Sequence, residues 1–300
     1  MVAILSELAT GEGLRPTMVD GVKIGSADRG YPRAPVLYEP SIYIVASGRK
    51  TGYLGDRTFV YDPNNYLVLS VPLPFECQTE PGPEGRALGI SVRVAPSVVS
   101  DLAVRMQSRP HATAVEATGY VEATPLDLGM SDAALRLVEC LRSPVDAEIL
   151  GPGIVREIVY RALCGPQGHL LLEMVGRHGQ GAQINAALRW IHSRYAEPFS
   201  VTRMAEEVGM SVSAFHHQFK ALTASSPVQY LKSVRLHKAR ALIVDEGSGA
   251  AVAAAAVGYE SASQFSREFK RFFGASPTEE ARRVRAVVAE PASVEVRASH

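Results

Sequence analysis

Two runs of polar side chains in the last third of the chain are of types that address nucleic-acid bases. The first holds Ser213, His216, His217 and Lys220, and the second holds Ser263, Gln264, Arg267, Lys270 and Arg271. Hydroxyl, imidazole, amide and guanidinium groups match the donors and acceptors of base edges in a major groove, and Lys or Arg meets phosphate. Apolar residues interleave with both runs: Val208, Phe215, Phe219 and Leu222 in one, Val257, Phe265, Phe269 and Phe273 in the other. That spacing turns the apolar set toward a core and leaves the polar set on an open helical face. Ser211 and Ser261 stand at the helix starts, where they cap and where free backbone amides suit a phosphate.

The segments that carry these runs are two copies of one pattern. Ala205 to Pro227 reads AEEVGMSVSAFHHQFKALTASSP, and Ala254 to Pro277 reads AAAVGYESASQFSREFKRFFGASP. Each has Ala, three residues, Gly, two Phe four apart, Lys after the second Phe, and a closing Ser-Pro. A small Ala on one helix and a Gly free to take positive φ are what a helix-turn-helix needs. Helices are predicted over about 201–208, 211–222, 228–244, 250–257 and 261–273. Another precedes them, with Ile184, Leu188, Ile191 and Tyr195 on one face. The connecting helix of about 17 residues would be roughly 25 Å long, which suits two reading helices about one DNA turn, ~34 Å, apart. Two copies are too few for a helical solenoid. The unlike exposed residues predict two unlike half-elements in tandem.

Upstream, residues 36–94 predict short strands divided by Ser47-Gly48, Gly55-Asp56, Asp62 to Asn65 and Pro81-Gly82-Pro83, the signature of a barrel or jelly roll. A helix with Pro96 near its start is predicted through Met106, one capped by Ser131 after it, and one over about 152–164. The Gly-rich run 176–183 reads as a linker and the residues after about 285 as a disordered tail. The division expected is 1–175, 176–183, 184–285 and 286–300.

The whole chain balances 31 basic against 31 acidic residues, but from Ile184 onward 15 face 11, a mild bias where a DNA-binding end would need it. Acidic Glu7 and Glu12 with no basic start predict no secretory leader, and no apolar run is long enough to span a membrane. Three cysteines with no C-x-x-C predict neither a disulfide framework nor a zinc knuckle, and a reducing, cytoplasmic setting. Cys140 and Cys164 read as core, and Cys77 as a buried, inert thiol, with a redox sensor the alternative if it is exposed. A metal-dependent cupin-like enzyme needs several His ligands, whereas residues 1–168 hold only His111. No catalytic residues, metal or cofactor are assigned.

Residues 184–283 resemble the DNA-binding domain of the AraC/XylS transcription regulators, on the stretches MAEEVGMSVSAFHHQFKALTASSPVQYLKSVRLHKARALI and AAAVGYESASQFSREFKRFFGASP. The resemblance implies base reading by Ser213, His216 and His217, and by Ala262, Ser263, Gln264 and Arg267, of which Ala262 departs from the polar residues often found there. Ser211, Lys220, Ser261, Lys270 and Arg271 are the candidate phosphate contacts. YEPSIYIVASGRKTGYLGDRTFVYDPNNYLVLSVPLPFECQTE resembles the N-terminal domain of a subgroup of these regulators, and GPQGHLLLEM resembles its segment leading to the linker. PGPEGRALGISV departs from the subgroup's acidic-Pro-Tyr sequence. The implied fold is α+β: a cupin-like β-barrel with flanking helices, then an all-α domain of two helix-turn-helix units joined by a long helix. The implied role is a bacterial transcription regulator on double-stranded promoter DNA, with RNA polymerase, a small effector and a second copy of itself as further candidate partners. Tyr43, Tyr53, Tyr66, Glu76 and Arg93 are candidates to line an effector pocket, since such sites pair aromatic walls with few polar groups. A regulator controlled by its own abundance, and a cupin-like enzyme fused to a DNA-binding domain, are the alternatives.

Overall fold

The computed structural model describes residues 1–106, 121–176 and 180–289, with the backbone alone for 180 and 285–289. His111, 177–179 of the expected linker and 290–300 of the expected tail lie outside them. The chain divides into two compact units, Met1–Val234 and Arg235 onward. The division falls inside a helix, and it leaves the first helix-turn-helix in one unit with the barrel.

A short helix, α1 (Val2–Leu8), precedes nine strands: β1 (Gly13–Pro16), β2 (Val22–Ala27), β3 (Tyr31–Tyr38), β4 (Ser41–Ser47), β5 (Arg49–Leu54), β6 (Arg57–Tyr61), β7 (Asn65–Leu69), β8 (Leu73–Glu80) and β9 (Ala87–Arg93). Then come α2 (Pro96–Met106), β10 (Val121–Pro125), α3 (Leu128–Cys140), α4 (Pro144–Ile149), α5 (Gly151–Cys164) and α6 (Gly168–Val175). Strand structure thus extends past the expected 36–94 at both ends. All pairings are antiparallel, in two sheets ordered β1-β2-β9-β4-β7-β10 and β3-β8-β5-β6. α3 starts at Leu128, capped by the Asp127 carboxylate, which accepts from the Met130 amide. Ser131, the expected cap, lies inside the helix, because Asp127 reaches the free amides one turn earlier.

The middle of the six-stranded sheet is buried on both faces, so β4 and β7 read as near-continuous apolar runs rather than alternations, while edge strand β1 is exposed. Ile42, Ile44, Tyr66, Val68, Ile90 and Val92 face α1–α6 in one core. Tyr43, Val45, Leu67 and Leu69 face the other sheet, where Tyr38, Leu54, Phe59, Tyr61, Phe75 and Cys77 meet them. Cys140 is buried in the first core, but Cys164 is exposed, contrary to the reading of both as core. It is the last residue of α5, so the turn at Gly165 leaves it at the surface.

α7 (Gln180–Ser193), α8 (Val201–Glu207), α9 (Val212–Thr223) and the start of α10 (Pro227–Val244) complete the first unit. Ile184, Leu188, Ile191, Phe215, Phe219, Tyr230 and Val234 share the inter-sheet cluster. The Tyr230 hydroxyl donates to the Pro72 carbonyl and accepts from His192 Nε2 at 2.8 Å. That pairing puts the His192 proton on Nε2. The second unit holds the rest of α10, then α11 (Ala250–Ala256), α12 (Ala262–Phe273) and α13 (Pro277–Ala289). α13 has no counterpart among the helices predicted from sequence, and it continues to Ala289, into the stretch expected as a tail. The Arg240 guanidinium donates to the buried Glu280 carboxylate through Nε at 2.7 Å, which ties α13 to α10.

Candidate nucleic-acid interface

The two turns close with the same pair of backbone bonds. In the first, the Met210 amide donates to the Ala205 carbonyl at 2.8 Å and the Gly209 amide to Glu206 at 3.0 Å. In the second, Tyr259 donates to Ala254 at 3.0 Å and Gly258 to Ala255 at 3.1 Å. These paired bonds are a Schellman closure of α8 and α11. It requires the left-handed backbone that Gly209 and Gly258 take, with φ of 69° and 83°. Ala205 and Ala254 are buried under the following helices, which is why both sequences keep a methyl there. The second turn has one more residue before its cap, Glu260, so the two copies are not congruent.

Ser211 and Ser261 cap α9 and α12: each hydroxyl accepts an amide three residues on, from Ala214 and Gln264, both at 3.2 Å. One phenylalanine pair anchors each helix, Phe215–Phe219 with ring centroids 5.5 Å apart and Phe265–Phe269 at 5.4 Å. All four rings are fully buried, each contributing about 1.5–3 kcal/mol of transfer free energy. With that side committed to packing, the other faces solvent. Ser213, His216, His217 and Lys220 on α9 are exposed, as are Ser263, Gln264, Arg267, Lys270 and Arg271 on α12. Ala262 is exposed too, offering a methyl group. Lys270 and Arg271 lie in the last turn of α12, where they also complement its dipole.

Two polar groups on this surface were missed by sequence reasoning. Arg235 Nη1 donates to the Gly258 carbonyl at 3.1 Å and so braces the second turn. Glu268, on α12, accepts from Gln264 Nε2 at 3.1 Å and from the Tyr259 hydroxyl at 2.9 Å. The i, i+4 spacing of Gln264 and Glu268 was the signal available for the second.

The five residues expected to line a pocket in the barrel do not converge. Tyr43 lies between the sheets, and Tyr66, the register partner of Ile44 on the neighbouring strand, faces the helices from the opposite side of the same sheet. Burial pushes the Tyr66 phenol up to about 12. Tyr53 and Glu76 are partners on the outer face of the four-stranded sheet, where Arg33 stacks on Tyr53 and its Nε pairs with Glu76 at 2.7 Å. Arg93 ends β9 and pairs with exposed Asp20 at 2.5 Å.

A different group does converge around Tyr43. Lys50 points between the sheets, half-buried, with Nζ 3.1 Å from Thr79 Oγ1 and 3.4 Å from the Tyr38 hydroxyl. Its ammonium lies 5.5 Å from the Tyr43 ring centroid. Tyr61 and Cys77 sit at its edge, with hydroxyl and sulfur 3.4 Å apart. Burial works against the Lys50 charge, but the phenols of Tyr38 and Tyr43 and the Cys77 thiol favour it, and its pKa is held above the usual lysine value. Burial drives the Tyr38 phenol up to about 12, so it stays a neutral partner. No carboxylate stands among these neighbours, so the cluster is a cation in an aromatic cage. Period-two counting from Tyr43 and from Gly52 finds this face, but a lysine in a strand reads as solvent-facing. Among the described residues, no three His, Cys, Asp or Glu side chains are grouped as a metal ion requires, and no helix is long and apolar enough to cross a membrane.

Comparison with known proteins adds family and fold. The family described as AraC-type transcriptional regulator N-terminus matches residues 18–170, and a helix-turn-helix domain family matches residues 204–283. The HTH-type transcriptional activator RhaS of Escherichia fergusonii is 32% identical over 125 residues, which are 41% of this chain and 44% of that protein. RhaS of Salmonella paratyphi B is 31% identical over 104 residues, 35% of this chain and 37% of its own. The chain thus spans less than half the length of the curated relatives it matches. Among solved structures, unsaturated fatty acid bound wild-type ToxT from Vibrio cholerae has a TM-score of 0.60 at 10% identity, covering 87% of this chain and 94% of that one. ToxT from Vibrio cholerae O395 has a TM-score of 0.58 at 10% identity, with 90% and 98% covered. Both are likenesses of fold.

Proposed function

The chain belongs to the AraC-type transcriptional regulators, and from that premise we propose that it reads two tandem, unlike elements of promoter DNA through α9 and α12. The observation that carries the proposal is the pair of matched turns, each presenting a helix with one phenylalanine-anchored face and one exposed polar face. Ser213, His216 and His217 address bases in one element, and Ser263, Gln264 and Arg267 in the other. Lys220, Lys270 and Arg271 meet phosphates, beside the amides at the starts of α9 and α12 near Ser211 and Ser261. The elements lie about one helical turn of DNA apart, and any palindromy comes from a second subunit. RNA polymerase is the partner such a bound regulator acts on, in the bacterial cytoplasm.

Selection from a randomised double-stranded DNA library with the purified full chain tests this reading. Two unlike half-elements in tandem should be enriched. Recovery of fragments without a common sequence would sink it.

The Lys50 cage supports the second half of the role, sensing of a small effector. A cation walled by aromatic rings, with no carboxylate of its own, suits an organic acid with an apolar body. The similarly folded ToxT from Vibrio cholerae has been solved with an unsaturated fatty acid bound. An effector of this kind alters promoter binding only through unequal affinity for two arrangements of the protein. A panel of aromatic and long-chain monocarboxylates should raise the melting temperature of the wild type, and Lys50→Met should abolish the rise. An equal rise in the variant would remove Lys50 from recognition.

A further inference from the structure

We propose that Glu268 is a specificity-determining positioning residue: held by Tyr259, it fixes the amide of Gln264 in the orientation that reads adenine. The inference rests on the reading of α12 as a base-reading helix and goes beyond it, because Glu268 itself need touch no base.

An exposed glutamine has three free torsions and two amide orientations of nearly equal energy, so it reads bases weakly unless something chooses between them. A carboxylate makes that choice, because it only accepts. Glu268 Oε1 lies 3.1 Å from Gln264 Nε2, four residues back on the same helix. Swapping the amide would set oxygen against a carboxylate oxygen. The carboxylate is itself held: the Tyr259 hydroxyl donates to its other oxygen, Oε2, at 2.9 Å. Tyr259 in turn is fixed at both ends. Its amide closes the turn on Ala254, and its ring packs edge-on against buried Phe265 at 5.3 Å. A rigid chain therefore runs from the turn, through Tyr259 and Glu268, to an exposed amide on the reading face.

The chemistry names the base. Carboxylate repulsion places the amide N–H trans to the carbonyl toward Glu268. The carbonyl oxygen and the cis N–H remain side by side, facing out. Acceptor and donor in that order match N6–H and N7 of adenine, the two-bond pairing that Gln makes in the major groove. The first copy lacks the device: Ala214 and Gln218 occupy the corresponding positions, counted from the shared phenylalanines. Only the second element gains this fixed adenine.

The test uses the full chain and the site that the wild type enriches from a randomised double-stranded library. Binding is then measured to that site and to its single-base variants, for the wild type, Gln264→Ala, Glu268→Ala, Glu268→Gln and the double variant Gln264→Ala/Glu268→Ala. Gln264→Ala should lose preference at one A·T pair. Glu268→Ala should lose about tenfold of the preference at that same pair while its melting temperature stays near wild type. Glu268→Gln, which keeps an accepting oxygen, should recover part of it, and the double variant should discriminate no worse than Gln264→Ala. Unchanged preference in Glu268→Ala, equal weakening on every sequence, or additive losses in the double variant would overturn the positioning role while leaving DNA reading intact. Failure of the wild type to enrich any sequence would overturn both.

Discussion

Ala224 is the one described residue other than glycine with positive φ, at 55°. It ends α9 where Gly274 ends α12 at 77°, so the two copies solve the same stop with different residues. The left-handed conformation costs an L-residue about 1–2 kcal/mol that glycine does not incur. Ala224→Gly should therefore stabilise the protein by about 1 kcal/mol, after the greater freedom of glycine in the unfolded chain is counted. A lower melting temperature would show that the methyl group's packing outweighs its strain. Gly209 is the converse case. A Cβ there would meet nothing closer than Gln183 Nε2 at 3.7 Å, so space is not the obstacle and φ is. Gly209→Val should cost about 2 kcal/mol or more and weaken binding to the first element more than to the second. A variant that melts like the wild type would argue against the turn's role.

The helices of the two helix-turn-helix units were legible because each is punctuated. Glycine or serine-proline ends one and a serine begins the next, with four-residue spacing between buried rings. The barrel was legible only as a class. β4 and β7 are buried on both faces, which erases the alternation that would have placed Tyr43 and Tyr66 on opposite sides. α13 was missed for a different reason: among the described residues it is tied to α10 by the Arg240–Glu280 ion pair, a contact between positions 40 residues apart that local spacing does not announce. His237, on α10, shows how deep packing sets chemistry at this scale. Its ring meets Phe272 and Phe273 edge-on at 5.4 and 5.3 Å. Burial first, and the nearby Arg240 charge second, lower its pKa from the usual 6.5 to about 3. The unfolded chain then binds a proton that the folded chain refuses. Stability is complete above pH 6.5 and falls as pH drops from 6.5 toward 3, by about 1.4 kcal/mol per pH unit for this group. His237→Phe should show a shallower loss of melting temperature than the wild type between about pH 7 and pH 4.5. Parallel pH profiles would mean that His237 is charged in the fold.

For the whole molecule, the linker legible in sequence and the division of the packed structure fall in different places. Sequence puts the boundary at 176–183, where glycine is dense, but compactness puts it between Val234 and Arg235. Composition reports where a chain can bend, and burial reports what it has been folded against. The inter-sheet cluster runs without a break from Leu69, Val71 and Leu73 to Ile184, Phe219 and Tyr230. A fragment of residues 1–234 should therefore melt cooperatively and at a higher temperature than one of residues 1–183, which leaves apolar surface of that cluster bare. Equal melting temperatures would make the first helix-turn-helix a separate folding unit. The Tyr230–Pro72 bond carries this into the history of such chains. A gene crossover at the glycine-rich stretch would hand a new sensor to an old reader and strand that tyrosine opposite a foreign loop. A crossover there keeps its fold only where the incoming domain offers Tyr230 a carbonyl in the place of Pro72.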